Sequence, residues 1–257
     1  MTEIELETRD LARSARACAL QVAIDGPSGA GKTTIGRELA RLLQIPVLDT
    51  GLMYRVVAKI TFDRGVDPAD LDAVPALASA MVFTLDGSAD SARLIMNGKP
   101  IDEALLHTHE VDLAVPRIAE MGEVRRVLVQ AQRDMAAKHA IVMLGRDITT
   151  VVLPDAPVKL FITADVETRA QRRAGDRVAE SARPGKDAVR AEIVARDRHD
   201  SGRSVSPLRQ SPDAVVIDTT NRSVEESVAA ATRVVATALA GFDRSEETKH
   251  QTGRQRE

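Results

Sequence analysis

The sequence predicts an α/β fold in which a parallel sheet is covered by helices on both faces. Three observations carry that prediction. Short, continuous apolar runs recur along the chain and have the length of fully buried strands. Stretches with apolar residues at helical spacing separate them, as connections between parallel strands require. A glycine-rich turn stands between the first run and the first such helix.

The elements follow in order. Ala19 to Asp25 (ALQVAID) is a short apolar run bounded by Gly26, hence a strand. Ile35, Leu39, Leu42 and Leu43 give Gly31 to Leu43 a helical apolar face. Ile45 to Leu48 is a second strand, and Thr50 to Phe62 a helix with Thr50 as its expected N-cap. From Asp63 to His109 the texture changes. A short helix around 69–80, runs at 82–85 and 93–96, and the tight-turn dipeptide Asn97-Gly98 predict a small antiparallel insert. Val111 to Lys138 is helical, with a break near Gly122. Ala140 to Leu144 and Val158 to Ile162 are buried-strand runs, and Asp165 to Ala174 and Lys186 to Arg198 are charged helices. Val215 to Asp218 is the last strand and Val224 to Leu239 the last amphipathic helix.

Composition excludes several classes. With 35 basic against 38 acidic residues the formal net charge is -3, so a general nucleic-acid binder is not expected. The aromatic fraction is 2%, too little for a base-stacking platform on a single strand. One cysteine, Cys18, leaves neither an intrachain disulfide nor a cysteine zinc cluster, and predicts a cytoplasmic protein. No apolar run reaches the roughly 18 residues a membrane span needs. Residues 1–19 read as a polar extension rather than a signal peptide, and 242–257 as a polar tail without structure.

Between the first strand and helix, Gly26-Pro27-Ser28-Gly29-Ala30-Gly31-Lys32-Thr33 fits G-x-x-x-x-G-K-[ST], the phosphate loop of a P-loop NTPase-type core. Its glycines let backbone N–H groups turn toward a phosphate, with the following helix dipole behind them. Lys32 is expected to reach the β- and γ-phosphates, and the Thr33 hydroxyl to ligate Mg²⁺. The motif predicts a nucleoside triphosphate such as ATP, and leaves the acceptor open. Thr50 and Arg55 follow the second strand, as an ordinary capped helix or as phosphate ligands. Gly145-Arg146-Asp147 follows the third run, where strand carboxyl ends form a ligand crevice. Arg196, Asp200 and Arg203 share one helix face, either as a solvated ladder or as part of an arginine-rich lid with Arg169, Arg172, Arg173, Arg177, Arg183 and Arg190.

These residues together resemble bacterial cytidylate kinases, which phosphorylate CMP and dCMP with ATP. The resemblance spans about Leu20 to Leu239 and rests on AIDGPSGAGKTT, LDTGLMYR, GRDITTVVLPDAPVKLF, RDRHDSGRSVSPL and DAVVIDTT, in that order. It implies one kinase domain over 20–241, with a monophosphate-binding insert at about 63–109 and a lid at about 170–209. Gly26, Pro27, Ser28, Gly29, Ala30, Gly31, Lys32, Thr33 and Thr34 would hold the ATP phosphates. Thr50 and Arg55 would grip the acceptor phosphate, and Arg125 would read the base. Arg146, Asp147, Arg196, Asp200 and Arg203 would contact the acceptor and the transferring group. The implied partner is a small nucleotide, with no nucleic acid or membrane, and the expected state is a monomer.

Three positions depart from the family pattern. Pro116 replaces a serine whose hydroxyl helps recognise the base, Leu144 replaces an aspartate, and Thr149 replaces a glycine. Proline offers neither a side-chain hydroxyl nor an N–H. The alternatives are therefore a related kinase with an altered acceptor, such as a modified pyrimidine nucleotide or another small metabolite, and a nucleotide-binding protein without transfer activity.

Overall fold

The structure, a computed structural model, describes residues 3–87, 92–176 and 186–254, with side chains described over 9–87, 92–175 and 187–242. Its centre is a five-stranded parallel sheet. In chain order the strands are β1 (Gln21–Asp25), β2 (Val47–Asp49), β6 (Ile141–Gly145), β7 (Val158–Thr163) and β8 (Val215–Asp218), laid out as β2-β6-β1-β7-β8. The helices are α1 (Glu3–Ala17), α2 (Lys32–Leu43), α3 (Gly51–Asp63), α4 (Ala73–Ser79), α5 (His109–Ile118), α6 (Gly122–Ala136), α7 (Val166–Asp176), α8 (Lys186–Gly202) and α9 (Val224–Arg254). Insert strands β3 (Phe83–Asp86), β4 (Arg93–Met96) and β5 (Lys99–Pro100) form a separate antiparallel sheet.

Alternation along the central strands divides the interior into two cores. Val22 and Ile24 of β1, with Val142 and Leu144 of β6, face α2 and α9, where Leu39, Leu43, Val235 and Leu239 bury their side chains. Ala23, Ile141 and Met143 point the other way, to Met53, Val57, Ile118 and Leu128 of α3, α5 and α6. Both faces being apolar is why these strands read as continuous runs. In the insert, Asn97 and Gly98 take φ of 51° and 76°, the left-handed pair of a tight hairpin, and the Asn97 side chain accepts from Val82 N at 2.8 Å.

Two expectations, one at each end of the chain, are corrected. Residues 3–17 are not a featureless extension but helix α1, which buries Ala12 and Ala15 and lies against α2 and α9. Its described apolar face is narrow, Ala12 and Ala15 with half-buried Leu11, so periodicity hides it. The last helix does not stop near Leu239, nor is the chain beyond Gly241 unstructured: α9 continues to Arg254. Ile148–Val152 (ITTVV) forms a π-helical turn that the β-branched run did not suggest. Of the lid arginines, Arg177 and Arg183 lie outside the described residues. Among the described residues, no helix is long and apolar enough to cross a membrane.

Gly26 turns the chain out of β1 with φ of 151°, and a Cβ there would lie 1.9 Å from the Ile162 carbonyl oxygen in β7. Backbone cannot retreat from such a clash. Gly26→Ala is expected to destabilise the fold by about 3 kcal/mol or more, lowering Tm by roughly 10 °C in calorimetry.

Candidate active site

The carboxyl ends of the parallel strands open onto one cavity of about 560 Å³, where an open α/β sheet places its ligands. Gly31 ends the loop as the N-cap of α2, with φ of 91°, so α2 directs its N-terminus at the cavity. Lys32 is buried beneath the loop, and its Nζ donates to the Pro27 carbonyl at 2.7 Å. Burial, then the nearby Arg146 guanidinium, lowers its pKa well below the ordinary lysine range.

The lining is strongly cationic. Lys32, Arg55, Arg125, Arg146, Arg172, Arg173, Arg196, Arg203 and Arg222 face only three carboxylates, Asp49, Asp147 and Asp200. The aspartates hold arginines in place. Asp200 accepts from Arg146 Nε at 2.9 Å and Arg203 Nη2 at 2.6 Å. Burial pushes the Asp200 carboxyl up, but Arg146 and Arg203 outweigh it and hold its pKa below the ordinary value. Buried Arg125 pairs with Asp147, donates to the Ala119 carbonyl at 3.2 Å and sits 5.6 Å from the Tyr54 ring centroid. Tyr54 is pushed up to about 12, first by burial, and stays a neutral phenol. Arg55 is braced outside this set by Asp112 at 2.6 Å and the Leu106 carbonyl at 2.9 Å. Arg196 is pushed down to about 10 by burial and by Arg146. The Nε atoms of Arg125 and Arg203 are buried without a hydrogen-bond partner among the described residues, and the lining carries an excess of positive charge that a polyanion would offset.

The cavity brings together Ser28, Gly29, Gly31, Lys32, Thr33, Thr34, Thr50, Arg55, Arg125, Arg146, Asp147, Arg196, Asp200 and Arg203. Gly26, Pro27 and Ala30 shape the loop from behind and do not line it. Thr50 is not a side-chain cap: its hydroxyl donates across the sheet to the Leu144 carbonyl at 2.8 Å. Arg169, counted with the lid, is buried away from the cavity. It forks onto Asp197 at 3.0 and 2.6 Å and donates to the Ser28 carbonyl at 3.2 Å. Arg190 faces Glu167 instead. Sequence reasoning missed Asp49, His107, Thr219 and Arg222, all of which line the cavity. Asp49 and Thr219 stand at strand carboxyl ends, a position that could have marked them. Thr219 accepts from Arg172 at 2.9 Å and donates to the Ala30 carbonyl at 3.1 Å, which ties α7 to the loop.

The departures also have places. Pro116 lines the cavity beside Val115 and Ala119, near Arg125. Leu144 is buried, and its Cδ2 is the atom a Cβ at Gly36 would meet at 2.4 Å, so this position supplies packing against α2 instead of a charge. The carboxylate beside the loop is Asp49, whose Oδ2 accepts from the Thr33 hydroxyl at 3.3 Å. A hydroxyl and a carboxylate side by side at the start of α2 are the hard oxygen donors that Mg²⁺ takes together with phosphate. The residues present therefore fit that ion.

Comparison with known proteins agrees with this geometry. The family model described as cytidylate kinase matches residues 22–237. A cytidylate kinase of Mycobacterium avium (strain 104) is 47% identical over 201 residues, 78% of this chain and 88% of that protein. One of Acidiphilium cryptum (strain JF-5) is 42% identical over 219 residues, 85% and 96% of the two chains. One of Exiguobacterium sibiricum is 40% identical over 220 residues, 86% and 98%. A phosphate loop, a ring of braced arginines and a match over most of the chain lead to one conclusion: this chain belongs to the cytidylate kinase family.

Proposed function

We propose that the protein transfers the γ-phosphoryl group of ATP to CMP or dCMP, releasing ADP and the nucleoside diphosphate. The observation that carries this reading is a single cavity in which a phosphate loop faces a second set of arginines braced by aspartates. A protein that only held a triphosphate would have no use for the second set.

The steps follow from the lining. The loop from Gly26 to Thr34 and Lys32 take the triphosphate, while Thr50, Arg55 and Arg146 take the acceptor phosphate and Arg125 the base. Thr33 and Asp49 would hold Mg²⁺, which when bound supplies charge neutralisation at the phosphates. An oxygen of the acceptor phosphate attacks the γ-phosphorus in line, and the bond to the leaving oxygen of ADP breaks. That attacking oxygen is already ionised, so no general base is needed. Lys32, Arg196 and Arg203 act by positioning and by offsetting charge on the transferring group. The proposed state is a monomer that acts on free nucleotides in the cytoplasm. Pro116 favours a second acceptor reading. With no hydroxyl or N–H at that point, the base meets one polar reader fewer, and selectivity among pyrimidines is relaxed.

Lys32→Ala is expected to cut kcat by about 10²–10³-fold in a coupled ADP-release assay while circular dichroism stays unchanged. Near-normal turnover would overturn the assignment. Because burial and neighbouring arginines depress Lys32, and bound phosphates favour its charged form, ATP binding is expected to take up a proton. The effect belongs to the pH range between the depressed pKa and that of the ATP complex. Calorimetry in buffers of different ionisation enthalpy would read it, and proton release on binding would refute it. In a panel of CMP, dCMP, UMP and AMP, Pro116→Ser is expected to raise the preference for CMP over UMP by about tenfold, and an unchanged ratio would remove this position from base reading.

A further inference from the structure

Asp25 takes no part in the steps above, yet it is a fully buried carboxylate at the point where β1 becomes the phosphate loop. Its Oδ1 accepts from Ile148 N at 2.8 Å, and its Oδ2 accepts from both Thr149 N and the Thr149 hydroxyl at 2.7 Å. Burial pushes this carboxyl up, while the Thr149 and Ile148 donors pull the other way. The donors belong to the opening of the π-helical turn Ile148–Val152. That turn closes on Asp147, whose carbonyl accepts from Val151 N at 2.8 Å and Val152 N at 3.2 Å. The Asp147 side chain in turn holds Arg125. A continuous set of bonds thus leads from the first residue before the loop to the arginine at the far end of the cavity.

The run ITTVV is a poor helix former, since β-branched residues lose side-chain freedom against the preceding turn. Its first N–H groups have no partner within the turn. Asp25 provides one from a strand more than 120 residues away in sequence. The Thr149 hydroxyl adds a third donor.

We propose that Asp25 and Thr149 are a positioning pair for acceptor binding: the carboxylate at the root of the phosphate loop fixes the turn that aims Asp147, and through it Arg125, at the acceptor. The proposal rests on the acceptor site assigned above. It places the effect of the Thr149 hydroxyl on the acceptor, because Lys32 and Thr33 are held by contacts of their own to Pro27 and Asp49, whereas the Asp25 charge also bears on Lys32.

The test compares Thr149→Val, which keeps the shape and loses the hydroxyl, with Thr149→Ser, which keeps the hydroxyl. Amide hydrogen exchange is read without substrate, and kcat and both KM values with ATP and CMP. Thr149→Val is expected to speed exchange at residues 148–152 by about tenfold. It is also expected to raise the KM for CMP by about tenfold, with the KM for ATP within about twofold of wild type. Thr149→Ser is expected to restore both readings. Unchanged exchange at the turn would overturn the proposal. So would a loosened turn with unchanged CMP KM, a parallel rise in both KM values, or failure of serine to rescue. Wild-type protein inactive on CMP would refute the functional reading instead, and the exchange experiment would still decide whether the tether holds the turn.

Discussion

Everything in the cleft depends on keeping positive charges together before any phosphate arrives. Guanidinium groups this close repel, and Arg196 is pushed down to about 10 first by burial and then by Arg146. The molecule meets that constraint with carboxylates placed behind the arginines. Asp112 braces Arg55, Asp147 braces Arg125, and Asp200 holds Arg146 and Arg203 together. Removing one partner of such a buried pair strands the other, at about 3–5 kcal/mol. The aspartates are therefore as much a part of the phosphate site as the arginines they orient.

The fold was legible wherever burial on both faces wrote itself into the chain. β1 and β6 carry continuous apolar runs, and each central strand lies within a few residues of its expected place. Asn97-Gly98 announced the hairpin because few other pairs accept two left-handed residues. What stayed hidden was structure held by distant partners. α1 presents a thin face of Leu11, Ala12 and Ala15 among charges, and packing on α2 and α9 holds it. The turn at Ile148–Val152 has no local reason to exist, since its first N–H groups are met by Asp25 from another strand.

The site was legible in its residue types and less so in their roles. The phosphate loop carries its chemistry in its spacing, and the cleft gathers the arginines named from sequence. Pairing was not readable. Arg169 carries the same side chain as Arg196, but it turns inward to Asp197 and the Ser28 carbonyl while Arg196 lines the cavity. Helical spacing alone cannot tell these two fates apart. Asp49 was passed over as part of a familiar block, although it stands at a strand end beside Thr33. The departures at Leu144 and Thr149 are absorbed by packing against Gly36 and by the bond to Asp25. Pro116 alone changes the lining of the cleft itself.

The bonds of Arg169 have a thermodynamic consequence. One guanidinium touches the Ser28 carbonyl in the loop and Asp197 on α8, so the phosphate loop and α8 share a part. Free-energy coupling between two sites is reciprocal. Whatever a bound triphosphate does to the balance between positions of α8, the position of α8 does to the affinity for triphosphate, by the same amount. The order in which donor and acceptor bind then cannot alter the total free energy of assembling the closed complex. It sets only which of the two encounters bears that coupling free energy.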